Sequence, residues 1–101
     1  QKATRNAIEV PFKIMQSSFN SLPLIKEMAK NGNPNSITDA GVAMHCAKAA
    51  INGAFLNVRI NCKDLKDKEY TDNIIRECLE ILKKTKKEEK LILKIVDNKL
   101  N

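Results

Sequence analysis

Tryptophan is absent, and three Phe and one Tyr are the only aromatic residues among 101. So few rings cannot supply the stacking platforms on which single-stranded nucleic acids are held. Glycine and proline are equally scarce, at three each. Asn31-Gly32-Asn33 holds one Gly and lacks the spaced glycines that let backbone wrap a pyrophosphate, so a nucleotide phosphate loop is excluded. Long apolar runs are missing too: Ala49 to Leu56 contains Asn52 and Gly53 and falls far short of the ~20 residues that a membrane span requires. The three cysteines, Cys46, Cys62 and Cys78, are odd in number and sit in helix-like segments without Cys-x-x-Cys or His-x-x-x-His spacing. That pattern argues against a disulfide framework and a zinc site, and for reduced thiols in the cytoplasm. The opening Gln1-Lys2-Ala3-Thr4-Arg5 has neither Met nor an apolar signal core and reads as the middle of something longer.

What is present points to helices. Ala, Leu, Ile, Lys and Glu abound, 43% of residues are hydrophobic, and the length allows one domain. The net charge of +6 is spread evenly, six basic and three acidic groups in residues 1 to 50 against twelve and nine in 51 to 101. An even excess suits an anionic ligand or solubility and does not point to nucleic acid.

Apolar Ala7, Val10, Ile14 and Met15 recur at helical spacing and predict one helix, bent where Pro11 lacks a donor. A second helix is expected from about Ser21 to Lys30, with Pro23 in its first turn and Leu24, Ile25, Met28 and Ala29 inward. The stretch 31 to 36, rich in Asn with Gly32 and Pro34, is the clearest loop, suited to left-handed backbone. Ser36 or Thr38 is placed to cap the next helix, and Asp39 to complement its dipole. That helix runs from about Thr38 to near Asn61, with Val42, Ala43, Cys46, Ala49, Ala50, Gly53 and Leu56 as its apolar stripe. Another begins at Asp67 or Thr71 and runs through Ile74, Ile75, Cys78, Leu79 and Leu82. The Lys-rich run 83 to 90 reads as a solvated face, and 91 to 96 as a terminal helix or, second, a strand. His45 and Cys46, adjacent and therefore about 100° apart on a helix, read as core packing rather than a base and nucleophile.

Two stretches exceed generic helix chemistry, NPNSITDAG at 33 to 41 and NGAFLNVRIN at 52 to 61, with AIEVPFKIM at 7 to 15 upstream. Together they resemble the formiminotransferase-cyclodeaminase and methenyltetrahydrofolate cyclohydrolase family, over residues 3 to about 70. The resemblance implies an all-α helical bundle with one long central Ala-rich helix. Residues 1 to 101 would be the C-terminal part of a single cyclodeaminase/cyclohydrolase domain, packing with a missing N-terminal helical part or a second subunit as a homo-oligomer, at least a dimer. It further implies a cytoplasmic enzyme acting at the folate one-carbon unit, by closing the formimino group with loss of ammonia or by hydrolysing the methenyl bridge. Tetrahydrofolate derivatives are then substrates, and neither metal nor cofactor is called for.

Both reactions pass through a tetrahedral carbon and need proton transfer and a carboxylate or dipoles near a cationic amidine. Asp39 is the catalytic candidate, as acid/base or cation stabiliser, against a plain helix-dipole role. Asn33, Asn35 and Ser36 are candidate substrate-binding groups, against turn and cap roles. Asn57 lies eighteen residues beyond Asp39, five turns on and ~27 Å away along a continuous helix, so the two share a face but not one reacting carbon. Arg59 suits a carboxylate, the glutamyl tail of folate or an acidic side chain. Asn61 either joins the binding groups or ends the helix.

Overall fold

A computed structural model describes residues 4–101 and places nearly all of them in four helices: α1 (Arg5–Asn20), α2 (Leu22–Asn31), α3 (Ile37–Cys62) and α4 (Lys68–Leu100). Thr4 caps α1, its hydroxyl accepting the Ala7 N–H, and Asp67 caps α4 by accepting from the Tyr70 N–H at 3.1 Å. Ser21 ends α1 and begins α2 in helical backbone, so α1 and α2 follow one another along the same side of the molecule. α3 returns antiparallel to them, and α4, ~50 Å long at 1.5 Å per residue, runs back along α3 and beyond it. The result is an all-α bundle, 52 × 19 × 16 Å, in which α3 touches every other helix.

Two apolar clusters fill it. One joins Ile8, Phe12 and Met15 of α1 to Ile51, Ala54, Val58 and Cys62 of α3 and Ile74 and Cys78 of α4. The other joins Leu22, Ile25 and Ala29 of α2 to Ile37, Ala40, Met44 and Ala47 of α3 and Ile92 and Val96 of α4. Phe19, at the joint between α1 and α2, packs against both.

The expected helices are present, but five details differ. The stripe expected to face inward on α3 faces out: Val42 and Leu56 are 61% exposed, and Cys46, Ala49 and Ala50 are exposed as well. The buried face is instead Ile37, Met44, Ile51 and Val58, seven apart, interleaved with Ala40, Ala47 and Ala54. Those larger side chains remove more apolar area from water, which decides the orientation. On α1, Ile8 and Phe12 go inward with Met15, while Val10 and Ile14 are exposed; on α2, Leu24 is exposed. His45 and Cys46 are both exposed and form no part of the core. Residues 91 to 96 are neither a strand nor a separate helix. They continue α4, whose inward positions Cys78, Thr85, Ile92 and Val96 hold helical spacing through the lysine run.

No helix among the described residues is long and apolar enough to cross a membrane.

Candidate functional site

The chain turns from α2 into α3 through a tight polar loop. The Gly32 N–H donates to the Met28 carbonyl at 2.8 Å, and a Cβ on Gly32 would press against that carbonyl and the Ser36 hydroxyl. Glycine is needed for close approach, not for unusual backbone, since no described residue has positive φ and the expected left-handed turn is absent. Asn33 organises the turn: its Oδ1 accepts from the N–H groups of Asn35 (3.0 Å) and Ser36 (3.1 Å). The Ser36 hydroxyl donates back to the Asn33 carbonyl at 3.0 Å. Ser36 stands at the N-cap of α3 but makes no side-chain cap bond. From the far side, the Lys99 ammonium donates to the Lys30 carbonyl and ties the end of α4 to the end of α2.

Asn33, Asn35 and Asp39 are exposed here within two turns of chain, and Ser36 is half-buried. The Asn33 amide nitrogen, the Asn35 side chain and the Asp39 carboxylate have no hydrogen-bond partner among the described residues. Asp39 sits in the first turn of α3, where unpaired N–H groups create a positive field. The cluster therefore offers neutral donors and acceptors and one carboxylate on a hydrogen-bonded turn.

Asn57, Arg59 and Asn61 lie at the other end of α3. The helix is unbroken, so Asp39 and Asn57 are ~27 Å apart on one side of it. The two groups do not meet within one chain. The Asn61 Nδ2 donates to the Ala7 carbonyl of α1 at 3.0 Å and to the Asn57 carbonyl at 2.9 Å. The first of these has a clear cause. Pro11 lacks the N–H that would bond the carbonyl four residues back, which is Ala7, and Asn61 supplies the missing donor. Both amide hydrogens of Asn61 are thus committed, and its Oδ1 alone remains for a ligand.

The Arg59 guanidinium lies 5.6 Å from the Phe55 ring centroid and pairs with no carboxylate among the described residues. It lines an open groove of about 600 Å³ between α3 and α4 together with Leu56, Ile60, Lys63, Lys68, Ile75 and the acidic Asp72. Lys63 and Lys68 are not singled out in the sequence, because no spacing joins them to Arg59. Behind the groove, burial pushes the Cys62 thiol above its ordinary value, with Lys68 opposing. Beside it, the Arg5 guanidinium meets Asp67 at 2.5 Å and lies 4.4 Å from the Tyr70 ring centroid, while the Tyr70 hydroxyl donates to Glu9 at 3.0 Å. These contacts fasten the start of α1 to the start of α4.

Fold and site together define an all-α protein with a hydrogen-bonded polar turn at the head of its central helix and, at the tail, a groove where three cations outnumber one carboxylate. The family model described as formiminotransferase-cyclodeaminase matches residues 1–80. The chain belongs to this formiminotransferase-cyclodeaminase and cyclohydrolase family, through its C-terminal domain. It is similar to the methenyltetrahydrofolate cyclohydrolase of Methylorubrum extorquens, with 32% identity over all of this chain and 49% of the relative. The formimidoyltransferase-cyclodeaminase of Dictyostelium discoideum is 33% identical over 97% of this chain and 18% of its own length. That of Rattus norvegicus is 29% identical over 92% of this chain and 17% of its own. The chain thus spans about half the length of the cyclohydrolase and under a fifth of the larger relatives.

Proposed function

We propose that the chain serves folate one-carbon chemistry, as a methenyltetrahydrofolate cyclohydrolase or a formiminotetrahydrofolate cyclodeaminase, and that the head of α3 carries the reacting end of the site. One observation carries the reading. The NPNSITDAG motif spans a hydrogen-bonded turn and the start of α3, and it leaves the Asp39 carboxylate, the Asn35 side chain and the Asn33 amide nitrogen exposed and unpartnered among the described residues. A carboxylate there is placed to stabilise a cationic amidine or relay its proton, and the amides to hydrogen-bond a pterin. Asn57 and Arg59, ~27 Å away, then serve a second surface or the anionic tail of the substrate.

Completion by further helices follows from the same reading. On its outer face α3 presents Val42, Cys46, Ala49, Gly53, Leu56 and Ile60, spaced four and three residues apart, as a helix-packing seam requires. A helix apolar on both faces is ordinarily buried on both. The span of the family domain outside this chain, or a second copy, would cover it, making residues 1 to 101 one part of a single domain in a homo-oligomer. The rival reading, a non-catalytic self-association module, draws on this seam alone.

The test joins the chain to the remaining span of the domain and follows the methenyl chromophore by ultraviolet absorbance with each substrate. Consumption of methenyltetrahydrofolate identifies the hydrolase, and formation of the chromophore from formiminotetrahydrofolate identifies the deaminase. A folded, oligomeric protein with neither activity leaves the module.

A further inference from the structure

The last turns of α4 touch the chain on both sides of the polar turn. At that end of the bundle the buried cluster is drawn from α2, α3 and α4, to which α4 contributes Ile92 and Val96. Because α2 and α3 are joined by the turn itself and can shift together with it, α4 is the reference against which the turn is held. Two contacts locate that reference. Val96, which is buried, lies over the bare backbone of Gly41: a Cβ built on Gly41 would meet Val96 Cγ1 at 3.4 Å and Cγ2 at 4.0 Å. Three residues on, the Lys99 ammonium donates to the Lys30 carbonyl, just before Gly32. Gly41 follows Asp39 by two residues, about 200° around the helix, so Gly41 backs onto α4 while Asp39 is exposed. The bulk of Val96 therefore sets how far the first turns of α3 stand off α4.

We propose, resting on the folate reading of that turn, that Val96 is a positioning residue: through its contact with Gly41 it fixes where the Asp39 carboxylate stands. Interiors are close-packed, so removing methyl groups from between two helices either draws the helices together or leaves a void that loosens their spacing. Hydrogen bonds along the helix couple Gly41 to Asp39 within the same turn, so a displacement of one carries the other with it. The scale of displacement that matters is small, since misplacing a reacting group by about 1 Å can cost on the order of 100-fold in rate. Ile92, Val96 and Lys99 lie beyond residue 80, where the match to the family model ends. The support for the head of α3 thus comes from a stretch outside the matched span.

The test compares Val96→Ala with the parent in two ways: kcat of the chain joined to the remaining span of its domain, and amide signals of the 101-residue chain in nuclear magnetic resonance. A fall in kcat of about tenfold is expected. Ile74→Ala empties more volume in the other cluster and costs at least as much stability, yet it should leave kcat unchanged. Gly41→Ala added to Val96→Ala returns a methyl to the gap from the α3 side and should restore most of the loss. In the 101-residue chain, the Asn35 and Ser36 amide signals, which report the turn's own hydrogen bonds, should move in Val96→Ala and stay in place in Ile74→Ala. Parent-like kcat in Val96→Ala, an equal loss in Ile74→Ala, or a double variant no better than Val96→Ala would overturn the inference and leave the folate reading standing. A folded parent inert toward both substrates removes the folate reading instead. The positioning contact is then upheld if the Asn35 and Ser36 signals move as expected and overturned if they do not.

Discussion

Single residues explain why the sequence motifs lie where they do. Pro11 and Asn61 are fifty residues apart, yet one creates the orphan carbonyl of Ala7 and the other satisfies it at 3.0 Å. Sequence alone reveals half of this, since a proline inside a helix announces an unbonded carbonyl four residues earlier but not what will reach it. Asn61→Ala should destabilise the fold by about 1 kcal/mol in denaturant titration, the net worth of a hydrogen bond to a partly buried acceptor. In a Pro11→Ala background, where an N–H returns to Ala7, the same change should cost far less. Equal costs in both backgrounds would show the two residues to be uncoupled.

The thiols divide in the same physical way. Cys62 and Cys78 are buried, and burial, with the Glu77 carboxylate and the thiolate that Cys62 forms at high pH adding, holds the Cys78 thiol up at about 11. Cys46 is exposed. A thiol reagent at pH 8 should therefore react rapidly with one cysteine in the native chain and with three after denaturation. The shifts also set a pH dependence. Groups whose folded values are raised stabilise the fold fully below their unfolded values, and that stability drains as pH rises through the folded ones. The raised Cys62, Cys78 and Tyr70 values thus predict a midpoint of unfolding that falls between about pH 9 and pH 11. A midpoint flat over that range would contradict the assigned burial. Asp67, lowered chiefly by the Tyr70 N–H, acts at the opposite end, its contribution lost as acid protonates it.

At the scale of elements, the order of helices and the loop at 31 to 36 were legible because Pro, Gly and Asn punctuate the pattern strongly. The orientation of α3 was not. Its outward stripe of Val42, Cys46, Ala49, Gly53, Leu56 and Ile60 is as regular as its inward one, and periodicity cannot rank two apolar faces. Side-chain volume can: Ile37, Met44, Ile51 and Val58 fill the space between α1, α2 and α4. Replacing Ile51 by Ala should cost about 2–5 kcal/mol, whereas Leu56→Ala should stay within roughly 0.5 kcal/mol in the chain alone. The reverse ranking in a denaturant titration would show the helix turned the other way. α4 was divided too early, because eight successive residues at 83 to 90 hold only Thr85 as an inward marker. That single β-branched residue keeps the register from Cys78 to Ile92.

For the whole molecule, the long axis is the governing fact. Candidate groups gather at two ends of one unbroken helix, so a single chain offers the polar turn and the basic groove but never both to one carbon. The turn was found in the sequence through its motif, which lies on contiguous residues. The groove was only half found, because Lys63 and Lys68 join Arg59 by folding rather than by spacing. The exposed seam of α3 runs along the outside of the bundle, and the chain spans about half the length of its cyclohydrolase relative.

The most direct test of the folate account is turnover of methenyltetrahydrofolate and formiminotetrahydrofolate by the completed domain with and without Asp39→Asn. The substitution keeps the size of an exposed side chain and removes its charge, so folding should be unchanged. The account predicts conversion of one substrate by the parent and a fall of about 100-fold or more in kcat for the variant, the scale of a lost acid/base group. Parent-like kcat in Asp39→Asn would move the chemistry away from the head of α3, and a folded parent inert toward both substrates would contradict the account itself.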